Sequence, residues 1–259
     1  MLKLCFVNNK GGCGKTTSIF QIAGVLSEQG KRVLVIDLDG QCNATMTVLG
    51  NAALPAATIY DVLRGDAQPE LAIAAGLYAG RGCRNLAAHG IDCMAGDSRL
   101  LDSMAFSSFD GSGLSALLHF LTASDYDAVL VDMPPSNSGA NAVGFRIADY
   151  VVVPMTSSDM FAAQGYAAIT ASIDAARTYN PTLRILGVFF SNYFANPMQE
   201  WVATELEAAC GDVLMQTRIP RSSAVAISTV NARPLAAYAG KEKATAAYIA
   251  LTEEILSRI

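Results

Sequence analysis

No apolar run in this 259-residue sequence approaches the roughly 18 residues of a membrane-spanning helix. The chain enters its first apolar run, residues 3–8, with one residue between it and the first methionine, and without the charged, apolar and small-residue pattern of a secretory signal. A cytoplasmic protein without membrane contact is expected. Six cysteines stand at positions 5, 13, 42, 83, 93 and 210, and no two form a CxxC pair. Reduced thiols are the expectation for such a chain. Charge is also scarce, at 16% against 52% hydrophobic residues. That balance excludes disorder and suits a large core with layers on both sides of a sheet. Repeats, low-complexity tracts and Pro/Gly/Ser linkers are missing, so one domain over residues 1–259 is the simplest organisation. The net charge of -5 speaks by itself against a nucleic-acid binder.

What the sequence does contain is alternation. Short continuous apolar runs lie at 3–8, 32–37, 91–96, 128–134, 150–154 and 184–190. Helical patterns lie at 16–30, 112–123, 160–179, 197–210 and 242–257. Continuous apolar strands imply burial on both faces. Their alternation with helices implies right-handed crossovers and a mostly parallel sheet, an α/β fold with helices on both faces. Residues 51–90 carry the weakest pattern.

Between the first strand and the first helix stands "NNKGGCGKTT", residues 8–17. Gly14-Lys15-Thr16 is the end of a phosphate-binding loop, but the glycine usual five residues before Gly14 is replaced by Asn9. Gly11, Gly12 and Gly14 permit a tight turn and close approach of an anion. Loop and helix N–H groups then point at phosphate, with Cys13 inside the cradle. Lys15 reaches the β- and γ-phosphates, the Thr16 hydroxyl suits Mg²⁺, and Thr17 suits the α-phosphate. Asp132 ends an apolar strand and is placed to orient the Mg²⁺ shell, through water. Asp37 and Asp39 end another strand. One could hold the metal shell while the other positions an attacking water.

"KGGCGKTT", "DLDGQCNAT", "YDAVLVDMPPS", "LGVFFSNY" and "RIPR" occur in this order and at spacings that resemble the ParA family of partitioning ATPases, relatives of MinD with a deviant Walker A motif. The resemblance covers essentially the whole chain. It implies the three-layer P-loop NTPase fold and ATP with Mg²⁺ as ligands. It also implies a nucleotide-dependent homodimer with ATP sandwiched between subunits. Lys10 then acts as a lysine finger on the partner's nucleotide, and Asp39 matches the catalytic aspartate. Asp37 and Asp132 match the acids near Mg²⁺. Asn192 and the residues about Pro220 lie where relatives touch adenine. Slow hydrolysis stimulated by a ParB-like adaptor is implied.

The sequence departs from that family in three places. Relatives read D-P-Q where this chain has Asp39-Gly40-Gln41, and Gly40 would loosen the switch. Val is usual at Cys13, read here as a small apolar substitute, with a reactive thiolate at the helix start as the alternative. Gly is usual at Cys42. The absence of a leading helix-turn-helix segment resembles the short class, which binds duplex DNA non-specifically through C-terminal basic residues. Residues 213–250 hold Arg218, Arg221, Arg233, Lys241 and Lys243 against Glu242 alone. Such a stripe is expected to hold DNA despite the acidic whole, with the ATP-bound form on the nucleoid. The C-terminal helix reads as a packed element rather than a membrane anchor. Two other readings use the same scaffold: positioning of another cargo, and an ATP-dependent synthetase or Fe–S reductase. Cys83 and Cys93 precede the switch region and Cys210 is remote from it, which disfavours the reductase.

Overall fold

The continuous apolar runs become the inner strands of one sheet because each can bury both faces. The structure is a computed structural model and describes residues 1–79, 90–102, 106, 109–135, 139–156 and 158–259. Among them lie eight strands: β1 (Leu2–Phe6), β2 (Val33–Asp37), β3 (Ile73–Ala79), β4 (Gly90–Met94), β5 (Ala128–Asp132), β6 (Tyr150–Thr156), β7 (Arg184–Tyr193) and β8 (Leu214–Pro220). The order is β3-β4-β2-β5-β1-β6-β7-β8. All pairings are parallel except β3 with β4. The helices are α1 (Lys15–Glu28), α2 (Asn43–Leu49), α3 (Ile59–Arg64), α4 (Ser112–Ala123), α5 (Gly139–Ile147), α6 (Ala162–Ala176), α7 (Pro197–Cys210), α8 (Ser223–Val230) and α9 (Lys243–Ser257).

Strand alternation divides the core in two. Cys5, Leu34, Ile36, Val129 and Val131 face α3 to α7. Leu4, Phe6, Val33, Val35 and Leu130 face α1, α2 and α9. The three-layer α/β arrangement read from the sequence is thus present. Strand and helix ends move by a few residues, and six elements are additional: β3, β8, α2, α3, α5 and α8. The helices among them have six to nine residues, too short for a clear 3.6-residue pattern. β8 is an edge strand that alternates instead of running apolar.

The parity of the strands aims the acids. Asp132 shares the side of Ala128 and Leu130, so it faces α1. Asp37 shares the side of Val33 and Val35, so it faces α2. The two are register partners across β2 and β5. β1 lies between β5 and β6, and the loop that follows it opens at the carboxyl edge, where open α/β sheets collect ligands.

Candidate nucleotide-binding site

Gly12 and Gly14 take φ of 72° and 87°, the left-handed region that a side chain disfavours, and Gly14 is the N-cap of α1. A Cβ at Gly12 would meet nothing within 4 Å, so the loop leaves open space above it. Lys15 is 7% exposed. Its ammonium donates to the carbonyls of Asn8 (3.1 Å) and Lys10 (3.3 Å). Asn8 pins the loop's other end: its Nδ2 donates to Pro154 O at 2.7 Å, and its Oδ1 accepts from the Lys10 amide at 2.9 Å.

Two adjoining cavities share the loop. One, of about 410 Å³, is lined by Gly11 to Thr17 together with Asp39, Gln41 and Thr229. The other, of about 220 Å³, is lined by Gly12, Ser191, Asn192, Pro220, Val225 and Tyr248. The sequence-predicted residues 11–17, Asp39, Asn192 and Pro220 are therefore brought together around these two spaces, whereas Lys10 lines neither. Sequence reasoning misses Ser191, Thr229 and Tyr248. Ser191 donates from Oγ to the Cys13 carbonyl at 2.6 Å and so ties β7 to the loop. Its position beside Asn192 in "FFSNY" is the available signal.

Asp132 lies behind the loop and is fully buried. Its Oδ2 accepts from the Thr16 hydroxyl at 2.5 Å, and its Oδ1 has no protein donor. Burial foremost, then the neighbouring Asp37, pushes its carboxyl up to about 8. A buried carboxylate with one empty oxygen, joined to a hydroxyl at a helix start, fits an Mg²⁺ shell. Among the described residues no cluster of three or more His, Cys, Asp or Glu could hold a metal. The remaining oxygens of such a shell would come from phosphate and water.

Asp37 is occupied otherwise. Its Oδ2 accepts from the Thr45 amide and hydroxyl, both at 2.8 Å, and its Oδ1 from the Asp39 amide at 3.2 Å. It lines neither cavity. Burial pushes it up to about 6, against those three donors. In this structure Asp37 fixes the start of α2 and the backbone of Asp39. Asp39 stays 7% exposed, and its Oδ1 accepts from the Gln41 amide at 2.9 Å.

Three further expectations change. A Cβ on Gly40 would come within 2.8 Å of the Leu101 amide, so glycine here admits a close neighbour, and a looser switch does not follow. Cys13 is 3% exposed, and burial pushes its thiol up more than Lys15 draws it down. It packs as a small apolar residue, and the thiolate alternative falls. The basic stripe is divided. Arg218 has the opposite strand parity to Ile219, which packs with α9. It lies over Tyr193, donating to its hydroxyl at 2.7 Å, and pairs with Glu200 of α7 at 3.7 Å. It is therefore on the other face of the sheet from α9. Arg221, Arg233, Lys241 and Lys243 are exposed in the segments that flank α8 and open α9. Of the cysteines, 5, 13, 93 and 210 are buried and free; Cys83 lies outside the described residues.

Cys42 precedes α2 with φ of 56°. A non-glycine residue there carries strain of about 1 kcal/mol. Cys42→Gly is expected to stabilise the protein by about that amount in urea denaturation. A lower midpoint would mean that the thiol's hydrogen bond to Gly40 O outweighs the strain.

A family model described as an AAA domain, AAA_31, matches residues 1–185. The chain is 31% identical to the chromosome partitioning protein ParA of Caulobacter vibrioides, over 98% of this chain and 94% of that one. It is 29% identical to the chromosome-partitioning ATPase Soj of Thermus thermophilus, over 99% and 96%. It is also similar to the cobyrinic acid a,c-diamide synthase of Mycobacterium smegmatis, crystallised with ADP and magnesium. That likeness has a TM-score of 0.78 and 25% identity over 99% of this chain and 94% of that one.

Proposed function

The chain belongs to the ParA family of partitioning ATPases, in the ParA/MinD superfamily, and from that premise we propose that it is a Mg²⁺-dependent ATPase of DNA segregation. The observation that carries this reading is the junction of the two cavities on one glycine loop, with Asp132 and Thr16 behind it. ATP lies with its base between Asn192 and Pro220 and its phosphates over residues 11–17. Lys15 leaves the Asn8 and Lys10 carbonyls for the β- and γ-phosphates, and Thr17 takes the α-phosphate. Thr16 and Asp132 would hold Mg²⁺, which would supply positive charge against the phosphates. Asp39, aimed by Asp37, positions the attacking water. Lys10 acts across an ATP-sandwich homodimer, where it meets charge developing on the partner's phosphoryl group.

In this reading the dimer holds duplex DNA through Arg221, Arg233, Lys241 and Lys243, doubled by symmetry. A ParB-like adaptor accelerates slow hydrolysis and returns the protein to free cytoplasmic monomer. Among the described residues no helix is long and apolar enough to cross a membrane. The adaptor decides whether the cargo is DNA or another body. The likeness to the diamide synthase favours a second reading, a synthetase, and ATP turnover without any small-molecule cosubstrate separates the two.

The test is retardation of duplex DNA. ATP, but not ADP, is expected to promote binding, with affinity falling steeply with salt. Neutralising Arg221, Arg233, Lys241 or Lys243 should lower the salt slope by about one for each DNA phosphate that the variant leaves without its cation. Arg218→Ala should leave it unchanged. No ATP-dependent shift at low salt would remove DNA from the proposal.

A further inference from the structure

Lys10 is engaged within its own chain. Its ammonium donates to Asp159 Oδ1 and stands 5.6 Å from the centre of the Phe161 ring. Asp159 is fixed to receive it. The same oxygen accepts from the Phe161 amide at 2.9 Å, and the Asp159 amide donates to Thr156 O at 3.1 Å. The Asp159 side chain is 9% exposed, whereas that of Lys10 is 52% exposed. The acceptor is held by the fold, and the donor is a long side chain with solvent around it. β6 and the segment after it thus hold the loop twice, at Asn8 through Pro154 O of the strand and at Lys10 through Asp159 beyond it. Beside this pair Met160 and Phe161 are 56% and 60% exposed.

We infer that Asp159 is a latch for Lys10: it keeps the lysine in its own subunit until the phosphates of a second copy's nucleotide take it. This rests on the trans role of Lys10 proposed above. A latched lysine is unavailable to the partner, so the apparent dimer affinity is the intrinsic one reduced by the unlatched fraction. A triphosphate offers more negative charge than one carboxylate and competes for the ammonium. Asp159 is a positioning residue in this scheme and touches no reacting atom.

The experiment measures dimerisation of the full chain by analytical ultracentrifugation, with a non-hydrolysable ATP analogue. Asp159→Asn is expected to dimerise at about 3- to 10-fold lower protein concentration than wild type, with unchanged analogue affinity as monomer. Asp159→Glu should restore wild-type behaviour. Asp159→Asn combined with Lys10→Ala should match Lys10→Ala alone. Unchanged or weaker dimerisation of Asp159→Asn, beside a defective Lys10→Ala, overturns the latch and leaves the trans lysine standing. Wild-type dimerisation of Lys10→Ala overturns the trans lysine itself. A second measurement needs no variant: acylation of Lys10 in nucleotide-free protein, followed by mass spectrometry, should accelerate at 1 M salt, where the screening length falls to about 3 Å. A rate indifferent to salt counts against the latch.

Discussion

Lys10→Ala is expected to bind ATP almost as wild type does and to hydrolyse it about 10³-fold or more slowly. The side chain is placed for this split. Lys10 is not part of either cavity lining, and its ammonium is directed to Asp159. Only its backbone serves the loop, through the carbonyl that accepts from Lys15 and the amide that donates to Asn8. Both survive in alanine. Removing a lysine that acted on its own nucleotide would weaken binding; removing one that acts in trans spares the monomer and disables the dimer. Nucleotide titration and phosphate release measure the two halves separately. Mixing Lys10→Ala with Asp39→Ala gives a sharper version. Hydrolysis should partly return, because in a heterodimer one composite site has both Lys10 and Asp39 intact. A normal turnover rate for Lys10→Ala would dismiss the finger.

Asp132→Asn should stabilise the nucleotide-free protein at pH 8, by an amount on the order of a few kcal/mol, while it weakens Mg²⁺-ATP binding. The cause is burial. In the folded chain the Asp132 carboxyl is pushed up to about 8 and that of Asp37 to about 6; in the unfolded chain both titrate near 3.9. Between these limits the folded state holds protons that the unfolded state has released. Stability is therefore fully present below about pH 4 on this account and is lost as pH rises through 6 and 8. Wild type should show that decline between pH 5 and 8 in urea denaturation, and Asp132→Asn should flatten it. Mg²⁺-nucleotide should also flatten it in wild type, because a cation beside the unpaired Oδ1 replaces the proton. A site that is unfavourable when empty is a familiar compromise between stability and function. If the variant is no more stable than wild type at pH 8, burial is not what raises this group.

Much of the candidate site was legible because its parts are contiguous in the chain. The loop at 8–17 carries its own turn chemistry, its lysine and its helix start. Asp132 ends a strand whose apolar run announces burial, and the acid takes the side of Ala128 and Leu130. The short and edge elements were not legible. α2 has seven residues and no side-chain cap, yet its Thr45 decides what Asp37 does. β8 alternates, so a search for continuous apolar runs passes over it.

The three-layer α/β fold, the phosphate loop and the acids at the strand ends could be read segment by segment. Burial on both faces and glycine turn geometry are local demands that each segment states alone. The partners of these side chains come from the packing of distant segments. Asp37 meets Thr45 rather than open space, Gly40 meets Leu101, Arg218 turns to Glu200 and away from α9, and Lys10 meets Asp159, 149 residues on. Strand parity tells which face a side chain takes, but the neighbour on that face comes from whichever distant segment the fold packs there.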